Sequence, residues 1–483
     1  MAMTMSAAPA LTLRDDGSRH LWLLVGLGLL AGAAAAGYAL AIAEVEALFV
    51  TLALITCVAV LFDFRIGAVV LVMMLPAADT PFVPHALMGI TGLNPINLLL
   101  GGTLFAYLLR GRLQGAGHFL PPRLAWMYIA PILLGGVLGM SHVDDIVPYF
   151  YENEIVKFTN AFGYLRDMMI RPLIMVAVTL VFAAAVARSK KPERFIVLIA
   201  LSVWVIVLIQ LGYIAASGVH LGALASARAR TFFDAIGIHA NDLGRLYVVA
   251  YAPLLFVWWE TKQQTLKTFL FVTMGVMTFA LLLTFSRGAF VGFLLVNLWM
   301  LAWKFNAKSV SLALLAIAVA ALIMPGAVYN RVSVGFDTGQ ADAVSAGRID
   351  GIWLPLLPEA LNSPLWGNGL SSIMWSYAME TGSMMTVGHP HNAYLEALLD
   401  TGVLGLGLML AFFWHVWQGF RKLGSNAYLS PELRGYFQGA TAALLAFLVT
   451  GMAGSSLRPT AEATYLWLAI GMMYGISARR PNP

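Results

Sequence analysis

Apolar runs of about 20 residues recur along the chain, and each is long enough to cross the hydrocarbon of a bilayer as a helix. This leaves little choice of fold. A segment surrounded by lipid must satisfy its own backbone hydrogen bonds, so only helices and closed barrels can span. A barrel would read as segments of about ten residues with alternating polarity, and these runs do not alternate. Composition agrees, with 60% hydrophobic residues and 11% charged, where a soluble domain carries about 25% charged. Mean hydropathy is +0.80. The chain reads as an all-α polytopic membrane protein.

Short basic clusters punctuate the apolar runs, and the excess of Lys and Arg on cytoplasmic loops orients such a protein. Arg14/Arg19, Arg65, Arg110/Arg112/Arg123, Arg188/Lys190/Lys191/Arg194, Lys262/Lys267, Lys304/Lys308, Arg421/Lys422/Arg434 and Arg479/Arg480 can all be cytoplasmic if the number of spans is even. The pattern predicts about 12–14 transmembrane helices with both termini inside. The expected spans are 21–39, 45–63, 66–78, 93–109, 124–141, 171–187, 195–215, 244–259, 268–285, 288–303, 309–328, 392–417, 435–454 and 461–477. The third is short and ends at Pro76. Residues 1–20 and 478–483 become cytoplasmic tails, with an uncleaved first helix after the former. Outward segments fall near 142–170 and 216–243, and the largest covers 329–391 with Trp353, Trp366 and Trp375. Whether the 142–170 segment touches a substrate is left open.

The net charge of +5 follows from topology and implies no nucleic-acid partner. Cys57 is the single cysteine, which excludes an intrachain disulfide and a cysteine metal site. It reads as a small packed residue. No internal repeat of the kind many transporters carry is visible.

Polar residues in such a chain are costly unless they are paired or functional. The strongest concentration is Gly388-His389-Pro390-His391-Asn392 at the start of a long apolar helix. His391 has the residue type of a general base, since an imidazole titrates near neutral pH; the competing reading is a capping residue. Two histidines are too few for a metal site. Arg287, in Thr284-Phe285-Ser286-Arg287-Gly288, interrupts a run that is otherwise almost wholly apolar. It either snorkels to the interface or holds a phosphate through its bidentate fork. Arg230 and Arg228 carry the same reading less specifically. Arg348 and Arg458 divide between pairing with carboxylates and contacting substrate. The topology puts these arginines and His391 on one outer face, which points to an anionic substrate.

His391-Asn392, nine residues, Gly402, two residues and Gly405 resembles the signature of bacterial O-antigen ligases and the related surface-polysaccharide polymerases. Ser286-Arg287-Gly288, Ala240-Asn241-Asp242-Leu243, Gly347-Arg348 and Gly367-Asn368-Gly369 resemble that superfamily too, over about 220–475. The resemblance implies a GT-C-type membrane glycosyltransferase with a large periplasmic loop, in the bacterial inner membrane. It would transfer a glycan from undecaprenyl pyrophosphate to an acceptor hydroxyl at the periplasmic face, without metal or other cofactor. The implied catalytic residue is His391, and the implied pyrophosphate ligands are Arg287 and Arg230. Arg228, Arg348, His389, Asn392 and Arg458 are further candidates for substrate contact.

The acceptor is lipid A-core for a ligase, or a growing lipid-linked polysaccharide for a polymerase; a protein O-glycosylating relative is a third case. The motifs are shared, and the ligase is slightly preferred. From a different class, a transporter or flippase of lipid-linked oligosaccharide would also need many helices and an outer arginine site. Glu396 and Asp400 are its obvious candidates for a charge relay.

Overall fold

The computed structural model describes residues 45–87, 90–111, 120–219, 231–303, 305, 310–311, 342, 345–454 and 456–479. The expected span at 21–39 and all of that at 309–328 but residues 310–311, together with Arg228 and Arg230, lie outside the described residues. Elsewhere apolar sequence becomes helix. In chain order the helices are α1 (Val45–Phe62), α2 (Phe64–Met74) and α3 (Pro95–Gly111), then α4 (Pro122–Asp145), α5 (Ala161–Arg188) and α6 (Arg194–Ser217). There follow α7 (Ala240–Glu260), α8 (Gln264–Leu282), α9 (Arg287–Trp303), α10 (Ala393–Gly424), α11 (Pro431–Gly451) and α12 (Thr464–Ser477). By length and composition α4, α5, α6, α8 and α10 can each cross a membrane, and the protein is an all-α polytopic membrane protein. Its described strands are one two-residue antiparallel pair, Ala86–Leu87 with Ile90–Thr91. The outward segment expected at 142–170 is shorter than the hydropathy suggested. Asn160 caps a new helix through its side chain, accepting from Gly163 N–H at 2.8 Å, so residues 161–170 already belong to α5.

The chain divides into two compact units, residues 1–67 with 84–113, and residues 68–83 with 114–483. In the first, α1 packs on α3. Cys57 fills that contact: a Cβ on Gly102 would come within 2.8 Å of its sulfur.

In the second unit α7 is the central helix, apolar nearly all round and buried over most of its length. Gly435 and Gly439 of α11 lie against the backbone of Ala252, Pro253, Phe256 and Val257. Gly471 and Gly475 of α12 lie in the same way against Thr179 and Ala183 of α5. Glycines four residues apart let two helix backbones touch, which raises dispersion contact where lipid supplies no hydrophobic drive.

The feature that shapes the functional end is a break in α10. Gly402 adopts φ 66°, ψ −174°, inside the helix. The hydrogen bonds that the helix loses there are exchanged with the segment 364–369. Asn368 N–H and Gly369 N–H donate to the carbonyls of Leu399 and Asp400, at 2.8 and 3.1 Å. Val403 N–H and Leu404 N–H donate to Pro364 and Leu365, at 2.9 and 3.3 Å. The groups opened by the break are therefore satisfied, as buried backbone requires. Leu370 N–H continues to Gly135 O of α4 at 2.9 Å, and Tyr164 of α5 donates its hydroxyl to Leu370 O at 2.7 Å. One short segment thus locks three helices.

The substitution Gly402→Ala tests this interlock. Its backbone region is nearly glycine-only, which costs about 1–3 kcal/mol, and the new Cβ would collide with the Leu365 carbonyl. A lower thermal unfolding midpoint in detergent is expected; an unchanged midpoint would show the interlock to be dispensable.

Candidate functional site

The ends of several helices meet at one end of the second unit. The starts of α7 and α9, the turn after α8 and the end of α11 line a cleft of about 120 Å³. Three arginines stand in its wall: Arg245, Arg287 and Arg348.

Arg287 is the first residue of α9. The turn before it is tight. Phe285 has φ 49°, Ser286 N–H donates to Thr284 Oγ1 at 3.3 Å, and Ala289 N–H donates to Ser286 Oγ at 3.4 Å. Gly244 lets this turn press against α7, since a Cβ there would meet Ala289 within 2.6 Å. Arg287 thus stands at a helix N-terminus, where the helix dipole favours an anion.

Arg348 follows a turn in which Ala346 and Gly347 have φ 62° and 80°. Asp342 and Ser345 cap the helical residues behind it: Ile349 N–H donates to Asp342 Oδ1 at 3.0 Å, and Arg348 N–H to Ser345 Oγ at 3.1 Å. Its Nη1 donates to Ala453 O at 3.3 Å across the cleft.

Arg245 is the residue that the sequence reading missed. It is only 2% exposed. Nη1 donates to Glu462 at 2.6 Å, Nε to Thr450 Oγ1 at 3.3 Å, and the guanidinium lies 4.8 Å from the Phe447 ring centroid. A guanidinium within the apolar run that becomes α7 was the available signal. It was passed over because Glu462, its partner, is 217 residues away.

The turn 388–392 borders this cleft. Trp353, in the cleft wall, donates its indole N–H to Pro390 O at 2.8 Å. His391 has φ 53° and donates its backbone N–H to His389 Nδ1 at 3.2 Å. The two rings stand edge to face, centroids 4.0 Å apart. Burial pushes His389 down to about 4, and the positive charges of His239, Arg348, Arg458 and Arg245 add to the effect. His389 is therefore neutral near pH 7. With Nδ1 accepting, its proton is assigned to Nε2.

Two other predicted residues have a structural occupation. Asn392 is the N-cap of α10, its Oδ1 accepting from Tyr394 N–H and Leu395 N–H at 3.1 and 3.2 Å. Arg458 lies in a buried ion pair with Glu396 and has Asp400 at 3.9 Å; it also donates to Met168 O at 3.4 Å. Two carboxylates of α10 thus stand beside its guanidinium, the pairing with carboxylates that was one of its two readings. Among the described residues no three His, Cys, Asp or Glu side chains cluster to hold a metal ion.

The depressed proton affinity of His389 has a consequence for stability. The unfolded chain takes up a proton near pH 6.5, whereas the folded chain resists it down to about 4. Between these values the unfolded state binds more protons, so this contribution is complete above pH 6.5 and declines as pH falls. His389→Asn is expected to flatten the fall in unfolding midpoint between pH 7 and 4.5. A nitrogen-15 titration of His389 with a midpoint at 6 or above would contradict the assignment.

Residues 269–410 match the family model for O-antigen ligases. No curated protein matches the chain. The matched stretch is narrower than the resemblance read from sequence, and it stops short of Arg245, Arg458 and Glu462. It does contain the arginine turn, the segment exchanged with α10, the histidine turn, and Gly402 and Gly405 of the spaced motif. Over residues 269–410, then, this chain is similar to the O-antigen ligases.

Proposed function

We propose that the protein is a membrane glycosyltransferase of the GT-C type that transfers a glycan from undecaprenyl pyrophosphate to an acceptor hydroxyl at the periplasmic face. Lipid A-core is the preferred acceptor, as in a ligase. The observation that carries this reading is the cleft shared by Arg245, Arg287 and Arg348, bordered by the histidine turn.

The chemistry follows from charge. As the glycosidic bond breaks, negative charge grows on the departing pyrophosphate. Arginines already fixed around it stabilise that charge without reorganising. Arg287 is the principal ligand, with the amides at the start of α9 beside it. Arg348 is the second. Arg245, held by Glu462, adds a positive field from the cleft wall and would orient rather than grip. Arg230 remains a proposed pyrophosphate ligand, with Arg228 beside it.

His391 is proposed as the general base. It takes the proton of the acceptor hydroxyl as that oxygen attacks the anomeric carbon from the face opposite the pyrophosphate. One carbon–oxygen bond forms and one breaks, so the configuration inverts in a single displacement. Undecaprenyl pyrophosphate leaves with the bonding pair. Neutral His389 next to His391 supports this role, since a second imidazolium would oppose protonation of the first. Apolar helices would hold the polyprenyl tail in lipid.

In a reconstituted assay with lipid-linked glycan and lipid A-core, His391→Ala is expected to lower transfer about 10²–10⁴-fold with donor binding kept. Arg287→Ala is expected to weaken donor binding and transfer together. Transfer retained in His391→Ala would remove the base from the mechanism. Lengthened lipid-linked chains in place of lipid A-core product would make the enzyme a polymerase.

A further inference from the structure

A second cavity, of about 380 Å³, shares no lining residue with the arginine cleft. Its charge has the opposite sign. Asp145, Glu359 and Glu380 stand in its wall, and among the described residues no Lys or Arg does. One side is aromatic: the imidazole of His142 stacks on the indole of Trp375, with centroids 5.4 Å apart and planes 14° from parallel. His142 and Asp145 are hydrogen-bonded at 2.9 Å, and their side chains are 43% and 63% exposed, so this wall is open to a ligand.

Amides complete the lining. Asn362 Nδ2 donates to Glu359 Oε2 at 2.9 Å, and Asn368 Nδ2 to Glu359 O at 3.1 Å. These bonds hold both amides, while neither Oδ1 has a hydrogen-bond donor among the described residues. At the floor, Ser372 donates both its N–H and its hydroxyl to Asp400 Oδ1, at 3.1 and 3.2 Å. The cavity is thereby fixed to α10, the helix that begins two residues after His391.

We propose that this cavity is a saccharide subsite selective for neutral and amino sugars and closed to sugars that carry carboxylate or phosphate. The proposal rests on the glycan-transfer reading above and adds a specificity to it. A flat aromatic wall suits the apolar face of a pyranose ring. Carboxylate and amide oxygens are acceptors for sugar hydroxyls and need no new ordering. A lining of one charge sign in a low-dielectric wall concentrates its field. Uronates and phosphates are repelled, and ammonium groups are drawn in. The molecule thus separates its two tasks, with anions received among arginines and uncharged sugar received among carboxylates.

The test uses the full chain in nanodiscs of zwitterionic lipid, with binding read by titration calorimetry. Three tetrasaccharides serve as probes: N-acetylglucosamine (neutral), glucosamine (cationic) and galacturonic acid (anionic). The anionic probe is expected to bind at least about tenfold more weakly than the neutral one, and the cationic probe more tightly. Asp145→Asn with Glu380→Gln should erase that order, and His142→Ala should weaken all three probes. These three residues are partly or largely exposed, so the variants are expected to fold. Equal affinity for the anionic and neutral probes, no binding at millimolar concentration, or an order unmoved by the neutralised carboxylates would each overturn the proposal. Arg287→Ala separates the two readings. If it abolishes transfer while charge-selected sugar binding persists, both stand. If the wild-type chain transfers no glycan yet ranks the three probes as expected, the subsite stands without the transferase.

Discussion

The exchange of backbone hydrogen bonds at Gly402 organises everything at the functional end of this protein. A helix of 32 residues would by default satisfy its own carbonyls. Here the bonds from Val403 and Leu404 are diverted to residues 364 and 365, and the carbonyls of Leu399 and Asp400 are taken by Asn368 and Gly369. The exchange needs a conformation that only glycine adopts cheaply, and it needs the neighbouring backbone to approach where a Cβ would stand. Gly367 and Gly369 meet the same need from the other side, against Asp400–Thr401 and Gly139. The spacing of these glycines is thus the footprint of two backbones in contact, not of a ligand.

Two cavities stand in the unit that this interlock ties together. The arginine cleft is lined from α7, α9, α11 and residues 345–353, and the acidic cavity from the end of α4, the segment 356–380 and Leu399 of α10. Glu396 and Asp400 of the same helix stand with Arg458. A buried guanidinium facing two carboxylates is costly to assemble and more costly to break. Its clearest role is to hold fixed the helix that bears His391. The pair Arg245–Glu462 does the same for the cleft itself, tying α7 to the residues that precede α12. Buried charge in this molecule is a framework for chemistry at its edge.

Much of this was legible in the sequence. Helix positions followed from runs of apolar residues, because lipid leaves a spanning backbone no other partner. His391 and Arg287 stood out because polar groups in apolar runs demand a reason. The 142–170 segment was read as too long, since Asn160 and a π-helical stretch at Leu165–Ile170 extend α5 beyond its hydrophobic core.

By itself, then, the sequence determined the class of fold, most of the described helix boundaries to within a few residues, and a short list of polar residues that had to be accounted for. These are local properties: burial periodicity, caps and the cost of charge in hydrocarbon. Only the tertiary structure decided which charges cancel. Arg458 meets Glu396, Arg245 meets Glu462, Asn392 turns inward as a cap, and Arg287 and Arg348 come to share a cleft. Partners 62 to 217 residues apart are chosen by how helices pack, and a single chain of letters carries no distance between them. The acidic cavity was invisible for the same reason, since its carboxylates come from segments that become neighbours only when residues 364–370 are seated in the broken helix.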